Sequence, residues 1–519
     1  MSRLLVLLAC SLSLVGQTVR KAPLRPKLIV ALMIDQFRYD YLVKFRADYH
    51  EGLARLLDEG AVFTNAHHDF FPTVTAVGHT SLMTGASPSV SGIIGNEWYD
   101  RSTKLPVTSV SDENTQLVGG VPGAAGSSPR RLLVSTLSDE LKMSGQASKV
   151  IGISIKDRSA ILPAGHMADA AYWFDGDSNH FVTSTYYMKE LPEWVKAAND
   201  NRPAAKYLGV SWFPFDAKPG DKAFCSMING ADVRYCGSFE ATPFGNEMLE
   251  DLAERAIRNE KLGQHDGIDV LALSLSSNDY VGHALGPDSP EVRDISIRTD
   301  RLLGKLLDFI DAQAGKGNTL LVMSADHGVA PLPEVNQARN MPGGRLDASA
   351  LGRSINDALS SRFGQGQWLA SDVGGTYYLD YDTAAKFKVR IEEAQNIAAA
   401  AARAFPHVAR VYTKGQLLRG EVGPDWVSRA VALGFYEPRA ADVIVVAEPY
   451  YIFAASGTSH STPYIYDSHV PVIFYGTGIQ PAVIYDRVAV TDIAPTLAAL
   501  LGTEPPSGSS GKVLKEVLR

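Results

Sequence analysis

The chain has 519 residues, of which 45% are hydrophobic and 20% are charged, and its formal net charge is −8. This length fits one large globular α/β domain with insertions, or two to three domains. The acidic balance excludes the basic surface that coats a nucleic-acid polymer.

Residues 1–20 have the pattern of a secretory signal. Arg3 precedes the short apolar run LLVLLACSLSLV, and a basic, proline-bearing stretch follows. The run is too short to span a bilayer, and no later run approaches that length, so no transmembrane anchor is expected. We therefore predict a periplasmic or secreted protein. The residues before Cys10 also match a bacterial lipoprotein box, an alternative that we rank below ordinary cleavage of the signal.

Two cysteines, Cys225 and Cys236, follow the signal and lie close together in the sequence. An even number of cysteines in an exported protein favours a disulfide over free buried thiols. We therefore predict a local disulfide between these two residues.

Apolar runs and amphipathic segments alternate along most of the chain. The runs typical of strands buried on both faces are residues 28–34, 61–66, 148–154, 268–275, 319–324 and 470–475. The segments with helical spacing or helix-start signals are residues 52–60, 128–144, 246–263, 289–312 and 491–501. This alternation predicts a doubly wound α/β fold, with a mostly parallel central sheet and helices on both faces.

Two stretches interrupt this alternation. Residues 159–243 are rich in aromatic residues and proline, and we predict that they form an insertion over the active site. Residues 335–455 are predicted to form a second insertion, with a helix over 384–405. Residues 86–128 are expected to be loops. Because no linker forces a division, we predict a single catalytic domain over residues 21–519.

Acidic residues and histidines stand where several of the predicted strands begin or end. In an open α/β sheet, the ligand site lies at the carboxyl ends of the parallel strands. Six nitrogen and oxygen ligands without a thiolate suit zinc, manganese or another divalent cation, and six suit two ions better than one. Two metal ions are a common device for displacement at phosphorus. The six candidate ligands are Asp35, Asp279, His283, Asp326, His327 and His469, whereas His67, His68, His79 and His460 are assigned to packing or supporting roles.

The segment FFPTVTAVGHTSLMTG contains the candidate nucleophile, Thr75. This threonine precedes a helix-compatible run, where unpaired backbone N–H groups and the positive end of the helix dipole favour a phosphoryl group. The alternative is that the Thr75 hydroxyl is only an N-cap.

Together with NDYVGH, SADHG and SHVPVIFYG, these segments resemble the alkaline phosphatase superfamily in order and spacing. The resemblance is to the branch that contains the PafA-type bacterial alkaline phosphatases and the nucleotide pyrophosphatase/phosphodiesterases. It implies a monomer with two zinc ions, Mn²⁺ or Co²⁺ being less favoured, and a nucleophilic Thr75 that becomes phosphorylated. The implied ligands are Asp279, His283 and His469 for one ion, and Asp35, Thr75, Asp326 and His327 for the other.

Extra donors near the nucleophile distinguish monoester from diester hydrolysis. A monoester dianion has three non-bridging oxygens, so its hydrolysis calls for additional cations and hydrogen-bond donors. Asn96 and the pair Lys156 and Arg158 resemble the phosphoryl-binding residues of the phosphatases, and the diesterases lack the lysine and arginine. We therefore expect an alkaline phosphatase that acts on small-molecule phosphate monoesters. The alternative is a phosphodiesterase or nucleotide pyrophosphatase on the same scaffold.

Overall fold

The computed structural model describes residues 25–200, 202–227, 234 and 236–518. The predicted signal, with Cys10, lies outside these residues. Within the described ranges, no helix is both long and apolar enough to cross a bilayer.

Strands and helices alternate along the described chain. The strands are β1 (Leu28–Ile34), β2 (Ala61–His67), β3 (Glu97–Asp100), β4 (Leu105–Thr108), β5 (Ser111–Val118), β6 (Ala125–Ser127), β7 (Val150–Ser154), β8 (Ala170–Asp175), β9 (His180–Ser184), β10 (Ser211–Trp212), β11 (Cys225–Ser226), β12 (Asp269–Leu275), β13 (Thr319–Ser324), β14 (Gly344–Arg345), β15 (Leu369–Val373), β16 (Thr376–Leu379), β17 (Val408–Thr413), β18 (Val443–Ala447), β19 (Tyr451–Ile452), β20 (His469–Gly476), β21 (Ala482–Ile484) and β22 (Val488–Ala489). The helices are α1 (Tyr39–Lys44), α2 (Gly52–Glu59), α3 (Thr75–Thr84), α4 (Pro88–Ser91), α5 (Leu137–Met143), α6 (Asp157–Ala164), α7 (Glu193–Asp200), α8 (Pro243–Asn259), α9 (Ser277–Leu285), α10 (Pro290–Ala314), α11 (Pro333–Ala338), α12 (Ala348–Phe363), α13 (Tyr381–Lys386), α14 (Ile391–Ala404), α15 (Lys414–Leu418), α16 (Trp426–Gly434), α17 (Ile465–Ser468) and α18 (Ile493–Leu501).

A twelve-stranded sheet in the described part of the chain forms the core of the fold. Its strand order is β21-β2-β20-β13-β1-β12-β7-β8-β9-β5-β6, with β22 on β2. The five adjacent strands from β13 to β8 are parallel to one another, whereas β20 is antiparallel to both β13 and β2. Every residue of β1, β7, β12 and β13 is buried, as expected for strands covered on both faces.

Two groups of helices cover the sheet. Helix α10 packs with α2 and α8, while α6 packs with α3. Both α6 and α8 also contact β7 and β12, so the two groups lie on opposite faces of these strands. The predicted doubly wound, mostly parallel α/β fold is confirmed.

Several boundaries differ from the prediction. The segment 86–128, predicted as loops, contains α4 and β3 to β6. The helix predicted over 128–144 is a 3₁₀ turn at Pro129–Arg131 followed by α5, because Thr136 and Asp139 form a capping box. The helix predicted over 384–405 is divided into α13 and α14 around Lys388, whose φ of 57° does not fit a helix.

Part of the stretch 159–243, which was predicted to be an insertion, belongs to the layered core. Residues up to 164 complete α6, and the aromatic strand β8 pairs with β7 in the central sheet. Its rings are buried because the strand lies within the layered core. Between β9 and α8, the described residues contain α7 and the two-residue strands β10 and β11. Cys225 and Cys236 form the predicted disulfide, with Cα atoms 5.0 Å apart.

Residues 335–455, which we call the crown segment, form a smaller unit beside the sheet. Strands β15, β16, β18 and β17 make a separate four-stranded sheet. Its hydrophobic core combines residues of these strands with residues of α12 and α14. Helix α16 belongs to the same segment and packs near Phe71, on the chain leading to α3.

Candidate metal centre and nucleophile

The parallel strands β1, β12 and β13 bring three aspartates together at one edge of the sheet. Strand β1 lies between the other two, with Ile34 opposite Leu275 and Met33 opposite Ser324. The residues that follow are therefore neighbours in space. Three groups of side chains have potential metal-binding atoms within 4.8 Å of one another. The groups are Asp279 with His283 and His460, Asp35 with Asp279 and His327, and Asp35 with His79 and Asp326.

The buried carboxylates fit divalent cations. Asp35 and Asp326 are 0% exposed, and within the described structure Asp35 Oδ1 and Asp326 Oδ2 accept no hydrogen bond. Burial raises the pKa of Asp35 well above its ordinary value, and the nearby charge of Asp326 adds to this effect. Unpaired buried carboxylate oxygens are costly, and a bound cation would satisfy them. Aspartate and imidazole ligands suit zinc and related ions.

Three histidines of the site present the same ring nitrogen to it. Nδ1–H of His283, His327 and His460 donates to a backbone carbonyl, which leaves each Nε2 free to bind a metal. The acceptors are Thr458 O for His283 at 2.8 Å, Gly328 O for His327 at 2.9 Å and Thr73 O for His460 at 2.7 Å.

The prediction that His469 reaches this site is corrected by the structure. His469 begins β20, where its Nε2 donates to Thr64 O at 2.9 Å. Its ring stacks between those of Tyr39 and His67, with centroids 4.5 and 4.6 Å away. Because β20 is antiparallel and pairs with β2, its first residue lies opposite His67.

His460 occupies the position that sequence reasoning assigned to His469. Its ring stacks on that of His327, with centroids 3.5 Å apart, and it is grouped with Asp279 and His283. The loop that carries it packs closely on α9, since a Cβ at Gly457 would lie 2.3 Å from His283 O. The sequence shows a histidine in the loop before β20, but no local pattern indicates that its side chain points toward the aspartates.

His79 is close to the acidic residues but supports the site by hydrogen bonding. Its Nδ1 lies 2.9 Å from Thr75 O and 3.3 Å from Asp326 Oδ2, and its Nε2 lies 2.8 Å from Ser274 Oγ. Both ring nitrogens therefore have protein partners. The supporting role of His79 stays a prediction.

Gln36 is a site residue that the sequence did not reveal. It follows Asp35 with a φ of 62°, a left-handed conformation that turns the chain sharply. Its backbone N–H donates to Asp326 Oδ1 at 3.0 Å, and its Nε2 donates to Asp279 Oδ1 at 2.6 Å. One residue thus orients two carboxylates, one in α9 after β12 and one just after β13.

Thr75 is the first residue of α3, and its hydroxyl does not cap the helix. The N-cap is Val74, which has no side-chain cap. Thr75 is 2% exposed, and its Oγ1 lies 3.4 Å from His327 Nε2. Helix α3 packs against the backbone of Asp326 through Gly78. A Cβ at Gly78 would lie 2.2 Å from Asp326 O, a contact that only glycine avoids.

The predicted phosphoryl-binding residues surround this centre in different ways. Asn96 Oδ1 accepts from the backbone N–H of Ala76 at 2.8 Å, so its amide N–H₂ group is the part available to a ligand. Lys156 Nζ lies 2.6 Å from both Asp35 Oδ2 and Asp279 Oδ2. Burial opposes the charge of Lys156, but these two carboxylates outweigh it and raise the lysine pKa.

Arg158 lies in the first turn of α6, and Lys156 is the N-cap of the same helix. The Arg158 charge acts on Lys156 and Tyr280. Its buried Nε has no hydrogen-bond partner within the described structure.

The family model for type I phosphodiesterase / nucleotide pyrophosphatase matches residues 29–469, and the chain belongs to this family. Within the family it is similar over nearly its whole length to alkaline phosphatases. It is 36% identical to alkaline phosphatase PafA of Elizabethkingia meningoseptica, across 99% of this chain and 98% of that protein. It is also 36% identical to alkaline phosphatase PhoV of Synechococcus elongatus, across 95% and 93% of the two chains. The crystal structure of wild-type PafA superposes with a TM-score of 0.89 at 34% identity, covering 96% of this chain and 100% of PafA. The resemblance stated from the motifs is confirmed.

Proposed function

We propose that this enzyme is a metal-dependent phosphate monoester hydrolase, an alkaline phosphatase, that passes the phosphoryl group first to Thr75 and then to water. The full-length similarity to PafA and PhoV supports the class of activity. The position of the Thr75 hydroxyl, uncapped and 3.4 Å from His327 Nε2 beside the buried aspartates, supports the assignment of the nucleophile.

Two divalent cations per chain fit the donor set. Bound there, they would lower the pKa of the Thr75 hydroxyl and neutralise charge on the leaving oxygen. Zinc is proposed over Mn²⁺ or Co²⁺ from the family resemblance, and the three imidazoles among the six Asp and His ligands are compatible with it. The residues proposed to hold them are Asp35, Asp326, His327 and Thr75 for one ion, and Asp279, His283 and His460 for the other.

The reaction is a double displacement. Thr75 Oγ1 attacks phosphorus in line, the bond to the leaving oxygen breaks, and the departing alcohol takes up a proton. Water then attacks the phosphorylated Thr75, which releases inorganic phosphate and restores the hydroxyl. Two in-line steps leave the configuration at phosphorus unchanged.

Cations and amide donors hold the phosphoryl oxygens during both steps. The N–H₂ group of Asn96 donates to these oxygens, and the positive end of the α3 dipole adds a favourable charge. Lys156 and Arg158 add the positive charge that a monoester dianion requires and that a diester monoanion requires less. This charge favours monoesterase activity over the phosphodiesterase or nucleotide pyrophosphatase alternative.

The experiment compares an aryl phosphate monoester with the corresponding bis-aryl diester. The metal-loaded enzyme is expected to have the higher kcat/KM on the monoester, to lose activity on chelation and to regain it with Zn²⁺. Higher turnover of the diester would overturn the assignment in favour of the phosphodiesterase.

The N-terminal pattern and the disulfide support a location outside the cytoplasm. We propose export to the periplasm or the medium, with cleavage near residue 20, and a monomeric enzyme acting on small phosphate monoesters. N-terminal sequencing of the exported protein and its mass in solution test these statements. A mature chain that begins with lipidated Cys10 would contradict the cleavage site.

A further inference from the structure

A cavity of about 220 Å³ lies between the loop that leads to α3 and the crown segment. Most of its wall is apolar, with Phe71 on the catalytic side and Val373, Phe435 and Ala441 on the crown side. Asn96, a proposed phosphoryl-binding residue, is also part of the wall.

The cavity lies next to the proposed reaction centre. Asn96 holds the backbone N–H of Ala76, which directly follows the nucleophile. On the other side, Ser461 lines the cavity and directly follows His460. A smaller cavity of about 80 Å³ shares Ser461 and is lined by His460 itself. A group attached to a phosphate bound beside Asn96 would therefore face the larger cavity.

Tight backbone packing forms this cavity in advance of binding. Phe71 N–H donates to Ala430 O of α16 at 3.0 Å. A Cβ at Gly434 would lie 1.5 Å from Phe71 O, so the helix and the loop touch backbone to backbone. On the opposite wall, the buried Tyr378 donates its hydroxyl to Arg439 O at 3.0 Å. The walls are therefore fixed apart, and a ligand need not open them.

We propose that this cavity is the leaving-group subsite of the enzyme and takes an uncharged, apolar group of about one aromatic ring esterified to phosphate. The proposal rests on the proposed function. An apolar cavity of about 150 Å³ holds benzene, and pockets for larger ligands begin at about 300 Å³. A volume of about 220 Å³ thus matches a single substituted ring. The exposed carboxylate of Glu97 on the lining disfavours an anionic leaving group.

The test compares 2-phenylethyl phosphate with ethyl phosphate, two primary alkyl monoesters whose leaving alcohols have similar acidity. The zinc-loaded wild-type enzyme is expected to prefer the phenylethyl ester by about tenfold or more in kcat/KM. In Val373→Trp, a larger ring from the half-buried crown strand β15 fills the cavity, and this ratio is expected to fall to about one. Leu418→Trp adds the same ring at a crown position that is 56% exposed and is expected to keep the wild-type ratio.

A second variant guards against misfolding of Val373→Trp. Gly374 has a φ of 54°, which asparagine tolerates, and an added Cβ would meet no atom within 4 Å. Gly374→Asn is therefore expected to fold and, by adding an amide at the cavity, to reduce the ratio at least threefold.

Different outcomes would contradict the proposed subsite and the proposed function. A wild-type ratio near one, or a ratio unchanged in both variants, overturns the subsite. Absence of turnover with every monoester overturns the proposed function instead. The subsite is then measured by calorimetry with 2-phenylethylphosphonate and ethylphosphonate, where equal affinities for the wild-type protein overturn it.

Discussion

Lys156 Nζ lies 2.6 Å from Asp279 Oδ2, and it contacts Asp35 at the same distance. One ammonium group thus contacts a carboxylate from each of the two proposed metal sites. A cation in this position would offset the negative charge of both carboxylates and add positive charge beside a bound phosphoryl group. The side chain is buried, so its attraction for charge is weakly screened.

Removing the two cations should affect monoesters far more than diesters. We expect Lys156→Ala combined with Arg158→Ala to lower kcat/KM for an aryl monoester by about 10²–10³-fold, because preorganised charge on the phosphoryl oxygens is lost. The loss for a bis-aryl diester should be about tenfold or less. Arg55→Ala, which removes a surface cation paired with Asp311, serves as control. Equal losses on both substrates would show that the pair does not recognise the dianion.

Thr75→Ala should abolish turnover without destabilising the fold. The hydroxyl caps no backbone N–H group, so the free energy of unfolding should change by less than about 1 kcal/mol. The loss of kcat should reach about 10³-fold or more, whereas Thr75→Ser keeps a hydroxyl and a measurable rate. Rapid acid quenching of wild type with labelled substrate should trap label on Thr75. Substantial activity in the alanine variant would exclude this nucleophile.

The strand ends carried most of the information that the sequence held about the site. Asp35, Asp279 and Asp326 follow apolar runs, and parallel strands must bring their carboxyl ends to one edge. Their convergence was therefore predictable from pattern alone. His460 was not predictable, because it lies in an irregular loop whose position depends on contacts with α9. His469 was misassigned because neither the antiparallel direction of β20 nor its pairing with β2 can be read from an apolar run.

The same distinction applies to the fold. Aliphatic runs identified the inner strands, but β8, reading AAYWFD, is aromatic and was assigned to an insertion. Its place in the sheet follows from pairing with β7, a long-range contact with no local signature. In contrast, the division of the predicted helix over 128–144 has a local cause in the capping box of Thr136 and Asp139.

The corrected ligand assignment gives a paired prediction. His460→Ala should reduce bound zinc from two ions per chain to one and lower kcat/KM by about 10²-fold, since one of three protein ligands is lost. His469→Ala should keep both ions and near wild-type activity, because the ring stacks on Tyr39 and His67 away from the cluster. Elemental analysis and kinetics distinguish the two. The opposite pattern would restore His469 as the ligand.

Asp467 is expected to position His460 through the loop between them. Its buried carboxylate accepts from Thr462 N at 2.9 Å and from Thr462 Oγ1 at 2.6 Å. Asp467→Ala should therefore weaken zinc affinity by about 10–100-fold, the size of effect that supporting hydrogen bonds have in metal sites. Added zinc should rescue its kcat, and Asp467→Asn, which keeps an acceptor, should be closer to wild type. A loss of kcat that excess zinc does not restore would indicate general misfolding instead.

Glu250 should make stability depend on pH near neutrality. Glu250 lies on α8, and Lys305 Nζ of α10 is 2.8 Å from its Oε1. Burial raises the pKa of Glu250 to about 7, although Lys305 opposes the shift. A carboxyl whose folded pKa exceeds the unfolded value of about 4.3 holds its proton in the folded state, so stability is lost as pH rises from about 4 to about 7. Glu250→Gln removes this dependence. Above pH 7 the variant should gain about 1 kcal/mol over wild type, after allowance for solvent screening. Urea unfolding at pH 5 and pH 8 measures the difference, with Glu113→Gln, at a side chain that is 79% exposed, as control. A difference between wild type and Glu250→Gln that does not change with pH would contradict the raised pKa.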